Sequence, residues 1–240
     1  MDNPLMAKLS GFVELDSDDH SLLDCWCADA VAVPAGRHLA REGEKPTNFC
    51  IVLEGWACRY KLLADGTRQI VGLMLPGDTC DLHGSVLRRA DHSIVMLTAG
   101  RVAFVPTTIV EQATEQRARI MRALWWCMLT DASIARAWLA NGGRRQARAR
   151  VGHLLCELWV RASEVGLTSS GQLTMPLSQI DLADALALTS VHVNRTLRRM
   201  QEDGLVRYDR REFTIPDLNR LAAEAGFDPI YLRSGAKRGR

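Results

Sequence analysis

The sequence predicts an α+β chain in three consecutive parts: a small β-sandwich or roll, a long helix, and a compact unit of short helices closed by a hairpin. Three observations predict it. Residues 31–106 are punctuated by Gly36, Gly43, Gly55, Gly66, Gly72 and Gly77, a spacing close to that of short antiparallel strands. Residues 107–140 contain neither Pro nor Gly and repeat their apolar residues at helical intervals. Residues 178–214 read in the order helix, turn, helix, hairpin.

The first part, 1–106, opens with short helices over 5–30 and continues into the strands. Asp65-Gly66, between "CRYKLL" and "RQIVGLML", is a hairpin signal, because Asp-Gly accepts the backbone of a tight turn that matches strand twist. The second part, 107–140, is expected as one helix of roughly 50 Å at 1.5 Å per residue. Its apolar positions include Ile109, Ala113, Ile120, Leu124, Cys127, Ile134 and Trp138, and Trp125, Trp126, Met128 and Leu129 widen that surface. A helix apolar on two sides needs two partners. One is the chain's own β-roll. The other is the same helix of a second copy, with Ile120, Leu124, Cys127 and Ile134 as the dimer contact. Burial of the helix within one domain is the alternative.

"NGGRR" at 141–145 is expected to stop that helix and form a hinge, which makes 141–240 the third part. The following segment places Arg144, Arg145, Arg148 and Arg150 at a helix start, against the preference of the helix dipole for acids there. These arginines serve either an external anion such as phosphate or a solvated face. "LSQIDLADALAL" opens at Ser178 with Asp181 three residues on, a capping-box pattern. Thr189 is placed to cap the next helix, about 189–202, which ends before Gly204. "VRYDRREFTI" then forms two short strands around a charged tip at Asp209–Arg211. This is a winged helix-turn-helix.

In "LTSVHVNRTLRRMQEDGLV", residues 188–206, Val193, Leu197 and Met200 form an apolar stripe, with Leu205 just beyond. The second helix of such a motif presents its N-terminal residues to base edges in the major groove. Ser190, Val191, Asn194 and Arg195 are the candidates. Arg195 can donate two hydrogen bonds to guanine, Asn194 can pair with adenine, and Val191 can touch a thymine methyl. Thr189, His192, Arg198 and Arg199 lie where phosphates pass, and position rather than specify.

Charge supports a polyanion partner for the third part only. Residues 141–240 hold 16 Lys/Arg against 11 Asp/Glu, a net of +5, while 1–140 hold 14 against 17, a net of −3. With 47% hydrophobic and 24% charged residues, composition is that of a globular domain. No run of about 18 apolar residues predicts a membrane span, and the N-terminus lacks the pattern of a secretory signal, so a cytoplasmic protein is expected. The seven cysteines are odd in number and irregular in spacing, which favours free thiols in a reducing compartment. Cys25 and Cys27 form a CxC rather than a CxxC, so no metal site is assigned. There is no Walker loop, GxSxG, HExxH or dinucleotide fingerprint, and no catalytic residue is assigned.

"IDLADALALTSVHVNRTLRRMQEDGLV" resembles the DNA-binding segment of the cyclic-AMP receptor protein / fumarate–nitrate regulator (Crp/Fnr) superfamily of bacterial transcription regulators. "FCIVLEGWACRYKLLADGTRQIVGLMLPGD" resembles that family's cyclic-nucleotide-binding-like β-roll, and 107–140 its dimerisation helix. The resemblance spans about residues 10–232. It implies a homodimer whose β-roll senses a signal and whose two recognition helices address a two-fold-symmetric operator in double-stranded DNA, with half-sites roughly 34 Å apart. RNA polymerase is a further candidate partner. Ser190, Val191 and Arg195 match recognition positions, and Val191 stands where the family commonly has glutamate. Cyclic-nucleotide binders carry a Gly-Glu pair and an Arg-Ser pair around the phosphate; here Asp81-Leu82 and His92-Ser93 stand there. Losing the arginine removes a bidentate phosphate donor, and Arg88 or Arg89 would have to replace it. Weak or no cyclic-AMP binding is therefore expected, the effector is unknown and no cofactor is assigned. A constitutive DNA-binding dimer with a ligand-free β-roll is one alternative. A redox sensor, or haem ligation by His83 or His92, is another.

Overall fold

The computed structural model describes residues 3–80, 89–169, 172–209 and 212–232. By contact density the chain divides into two units: 1–61 with 72–132, and 62–71 with 133–233.

The first unit begins with helices α1 (Pro4–Ser10) and α2 (Ser17–Ala28). Asn3 caps α1, its side chain accepting from Leu5 N. Asp16 caps α2 in a capping box with Asp19, so both helix starts are fixed by side chains that satisfy orphan amides. The strands are β1 (Val31–Val33), β2 (His38–Ala40), β3 (Asn48–Glu54), β4 (Ala57–Leu62), β5 (Arg68–Met74), β6 (Thr79–Cys80), β7 (Ser93–Met96) and β8 (Gly100–Pro106). They form two four-stranded sheets, ordered β1-β8-β3-β6 and β2-β7-β4-β5. Inside lie Val33, Cys50, Val52, Ala57, Met74, Ile94, Met96 and Val102. The Asp-Gly turn forms as its sequence predicts: Leu63 N donates to Thr67 O at 2.8 Å, Asp65 accepts from Thr67 N, and Gly66 takes φ 84°. Gly77 has φ 88°, and a Cβ there would lie 2.6 Å from Pro4 O, so only glycine fits. Asp78 beside it accepts from Leu75 N at 2.8 Å and pairs with Lys8, which ties α1 to the roll.

The predicted single helix of 107–140 is two. Helix α3 spans Thr107–Gln116 and α4 Ala118–Arg144. Arg117 between them is extended (φ −129°, ψ 96°), and the arginines at the break reach the start of α2: Arg117 lies 3.4 Å from Asp19, and Arg119 pairs with Asp16. The stop expected at 141–145 also falls later. Gly142 and Gly143 stay helical to Arg144, Asn141 is buried and donates from Nδ2 to Arg150 O at 3.3 Å, and the chain turns at Arg145–Gln146. Two helical glycines cost about 1 kcal/mol each against alanine, which tertiary contacts of this kind offset.

The residues expected as the dimer contact, Ile120, Leu124, Cys127 and Ile134, are covered within the chain itself. Ile120, Leu124 and Cys127 pack with Leu5, Leu9, Leu23, Trp26, Phe49 and Ile51 in the core of the first unit, and Ile134 is buried as well. Side chains spent on the chain's own core offer no surface to a partner. The apolar stripe that α4 leaves exposed is Met121, Trp125 and Leu129, one residue further round the helix.

In the second unit, α4 is followed by α5 (Ala147–Glu164), β9 (Thr168–Ser169), β10 (Gln172–Thr174), α6 (Gln179–Leu186), α7 (Ser190–Glu202), β11 (Arg207–Asp209), β12 (Glu212–Thr214), α8 (Leu218–Ala225) and a 3-10 turn, Pro229–Leu232. Its sheet is ordered β11-β12-β10-β9. Among the described residues no helix is long and apolar enough to cross a membrane.

Candidate nucleic-acid interface

Helix α6 starts on Ser178, whose hydroxyl accepts from Asp181 N at 3.1 Å while the Asp181 carboxylate accepts from Ser178 N at 3.0 Å. It ends on Ala187, held at φ 52°, a left-handed conformation that costs a residue with a Cβ about 1 kcal/mol. That single residue lets the chain reverse within Leu188–Thr189. Thr189 Oγ1 then accepts from His192 N at 3.2 Å and caps α7. Asp203 and Gly204, the latter at φ 68°, close the far end.

The apolar stripe read in α7 is its seat: Val193, Leu197 and Met200 are buried, as is Leu205. Each such side chain contributes about 1.5–3 kcal/mol, enough to fix which face of α7 points out. Gly152 of α5 makes the seat shallow. A Cβ there would stand 3.0 Å from Ala225 Cβ and 3.3 Å from Leu221 Cδ1, so its absence lets α8 close on α5. Gly152 lies inside a helical pattern, so its sequence context carries no signal of this close approach.

The outward face carries a shallow groove of about 490 Å³ lined by Ser190, Val191, Asn194, Arg195, Arg198 and Arg199, with Gln179 and Glu202 at its edge. Val191 is 77% exposed. Among the described residues, no carboxylate pairs with Arg195, Arg198 or Arg199. Three unneutralised guanidinium groups on one helix face suit a polyanion. Asn194 Nδ2 donates to Gln179 Oε1 at 3.1 Å, so Gln179 joins the face from α6 and orients Asn194. Its only sequence signal was its place beside Ser178. Thr189 and His192 stand at the N-terminal edge, Thr189 exposed and His192 half-buried. The wing strands β11 and β12 pair antiparallel, with the Tyr208 and Phe213 rings tilted at 33° and 4.3 Å apart between centroids; the tip residues Arg210 and Arg211 lie outside the described residues.

The arginines at the start of α5 take the intramolecular option. Arg148 pairs with Asp203 and with Glu224 at 2.8 Å, Arg150 donates to Arg145 O and Leu186 O, and Arg145 donates to Gly226 O. They hold the ends of α6, α7 and α8 against α5.

Of the effector residues, Asp81 and Leu82 lie outside the described residues, as do His83 and Arg88. His92 and Asp91 share a 2.7 Å hydrogen bond at His92 Nδ1, which holds the Asp91 carboxyl below its usual range. Ser93 Oγ accepts from Glu42 N at 3.0 Å, and Arg89 donates to Gly43 O. Ser93 and Arg89 are thus engaged with the roll itself. Arg59 of β4 donates to Thr79 O at 2.7 Å and pairs with Asp131 of α4 at 2.9 Å. All seven cysteines are free thiols, and burial pushes Cys127 up to about 11 and Cys156 up to about 12, the opposite of a reactive thiolate.

Comparison with known proteins agrees with both halves of the chain. Residues 30–117 match the model of the cyclic nucleotide-binding domain, and residues 149–224 that of the Crp-like helix-turn-helix domain. The chain is 30% identical over 191 residues to the nitrogen fixation regulation protein FixK of Bradyrhizobium diazoefficiens, covering 80% of this chain and 79% of that one. It is 28% identical over 198 residues to the transcriptional activator protein FnrL of Cereibacter sphaeroides, covering 81% and 79%. Among solved structures it resembles FixK2 from Bradyrhizobium japonicum, with a TM-score of 0.73 and 26% identity over 81% of this chain and 95% of that one.

Proposed function

The chain belongs to the Crp/Fnr family of bacterial transcription regulators, and from that premise we propose that it works as a homodimer that reads a two-fold-symmetric operator with helix α7. That it is a DNA-binding transcription regulator follows from the family. The observation that carries the mode of reading is the outward face of α7, where Arg195, Arg198 and Arg199 stand unpaired among the described residues around the exposed Val191.

Arg195 supplies a bidentate contact to guanine, Asn194, oriented by Gln179, reads adenine, and Val191 covers a thymine methyl. Ser190 stands beside them at the first turn. Thr189, His192, Arg198 and Arg199 hold the phosphates. Region 1–106 acts as sensor, 107–140 joins two copies, and 141–240 binds DNA, with RNA polymerase the further partner of an assembled complex. Arg195→Ala tests the assignment on a duplex selected from random sequence. The loss expected is about 10- to 100-fold on the selected duplex, equivalent to 1–3 kcal/mol, with little change on random DNA. Equal losses on both reduce Arg195 to a phosphate contact.

The signal is not cyclic AMP in this reading. Ser93 Oγ is engaged with Glu42 N, and the Arg59 guanidinium of β4 is held by Thr79 O and by Asp131 of α4, so neither side chain is free to grip a cyclic phosphate. The Arg59–Asp131 pair favours a second reading, in which the roll is a scaffold and DNA binding is constitutive. Protein unfolded, stripped of small molecules and refolded decides between them: full affinity for the selected duplex supports the scaffold.

A further inference from the structure

In the groove on the outward face of α7 stands an apolar side chain. Val191 is 77% exposed, so the chain's own core makes little use of it. It shares the groove with Ser190, Asn194, Arg195, Arg198 and Arg199. Val191 and Arg195 are four residues apart on α7, hence neighbours on one helix face with Cβ atoms about 5–6 Å apart. Ser190 and Val191 open the helix directly after its Thr189 cap, the part of a recognition helix that meets base edges. The first turn of α7 holds no acid; the helix's one acid, Glu202, is its last residue.

Those residue types decide what the first turn can read. In the major groove the base edges carry hydrogen-bonding atoms and one apolar group, the methyl on pyrimidine C5. A valine gains only from that methyl. It makes no hydrogen bond, so it is blind to the atom on C4, an acceptor in thymine and a donor in cytosine. Ser190 is equally tolerant, because its hydroxyl either donates or accepts. A carboxylate in this turn would demand the cytosine donor, and there is none. Thymine and 5-methylcytosine therefore offer this turn the same feature, and plain cytosine lacks it.

We propose that Val191 is a methyl sensor. The half-site carries a C5-methylated pyrimidine, thymine or 5-methylcytosine, in the base pair next to the guanine read by Arg195, so methylation of a cytosine at that position strengthens binding. The proposal rests on α7 being the reading helix, and adds a class of ligand to that reading: duplex DNA methylated at cytosine C5. Adjacent base pairs follow from the spacing, because recognition-helix side chains about three residues apart meet successive bases. Covering one methyl is worth about a fourfold change in Kd per half-site, and about 15-fold when both half-sites carry it.

The test uses the full chain and the duplex it selects from random sequence, with Kd read by fluorescence anisotropy. Deoxyuridine replaces the half-site thymines one at a time, which removes a methyl and nothing else. One position per half-site should lose about fourfold. At that position, a pair of guanine with 5-methylcytosine should bind about fourfold more tightly than guanine with plain cytosine. Val191→Ser, at an exposed site, should leave the thermal midpoint unchanged and bind the thymine and deoxyuridine duplexes alike. Equal binding of thymine and deoxyuridine duplexes at every position overturns the proposal. So do equal binding of the two cytosine duplexes and a methyl preference that survives Val191→Ser. Arg195→Ala keeps the two readings apart. Its selective loss on the selected duplex, alongside equal thymine and deoxyuridine binding, leaves α7 as the reader and removes the sensor alone; absence of both effects removes the reading helix as well.

Discussion

Replacing Trp125 with glutamate should separate the proposed homodimer without unfolding the chain. Trp125 is 58% exposed, and Met121 and Leu129, one turn to either side on the same stripe, are 40% and 50% exposed. A tryptophan of about 250 Å² so exposed leaves roughly 145 Å² in water, which is worth about 3.5 kcal/mol per copy at 25 cal/mol/Å² if a partner covers it. Part of that gain is lost to ordering of the interface, and central tryptophans in interfaces retain about 2 kcal/mol or more. Symmetry doubles the loss to about 4 kcal/mol, roughly a thousandfold in Kd. Sedimentation equilibrium at micromolar protein should therefore find monomers that still unfold cooperatively, at a midpoint lowered only by the loss of the dimer's mass-action stabilisation. Ile120→Ala is the control: fully buried in the first unit's core, it should cost about 2–5 kcal/mol of folding stability, lower Tm by about 5–15 °C, and leave a dimer. A Trp125→Glu chain that still dimerises with undiminished affinity refutes the interface. An Ile120→Ala chain that melts unchanged as a monomer refutes the division of α4 into two faces.

Two further outcomes are expected. His153 is buried, stacked on Tyr231 with ring centroids 5.7 Å apart, and its Nδ1 has no partner; burial first, then the charge of Arg145, lowers its pKa from 6.5 to about 4. The unfolded chain thus holds a proton that the folded chain lacks between these values, so stability present above pH 6.5 is lost as pH falls toward 4, by about 2 kcal/mol after allowance for solvent screening. Burial raises the neighbouring Glu157 and acts in the opposite direction, so the comparison is with His153→Phe: urea midpoints at pH 7 and pH 4.5 should differ less in that variant, and an equal difference would discard the role of His153. Arg198→Ala should weaken binding to all duplexes alike and reduce the slope of log K against log salt by about one; an unchanged slope would remove Arg198 from the phosphate contacts.

Much of the DNA-facing unit was legible because local chemistry dictates it. Ser178, Thr189 and Gly204 each act where a backbone group needs a cap or a left-handed turn, and Val193, Leu197 and Met200 declare the buried face of α7 by spacing alone. What was illegible depended on contacts distant in sequence. The break at Arg117 coincides with ion pairs to residues about a hundred positions earlier, Asp16 and Asp19. The helix runs through Asn141-Gly142-Gly143, a pattern that signals a stop, with Asn141 bound to Arg150. On α4 both stripes are apolar, so periodicity could not say which one the β-roll's own helices would cover; the core took Ile120 and Leu124 and left Met121 and Trp125. The arginines of α5 looked free because Asp203 and Glu224, their partners, arrive from α7 and α8.

The most direct measurement is dimethyl sulfate protection of guanine N7 on a duplex selected by the protein, because that atom lies in the major groove, where the proposed reading puts Arg195. Two protected clusters one helical turn apart, about 10–10.5 base pairs, with protection at one guanine of each cluster lost on Arg195→Ala, are the result expected. A single cluster, or a pattern that the substitution leaves unaltered, would contradict a symmetric pair of α7 helices reading successive major grooves.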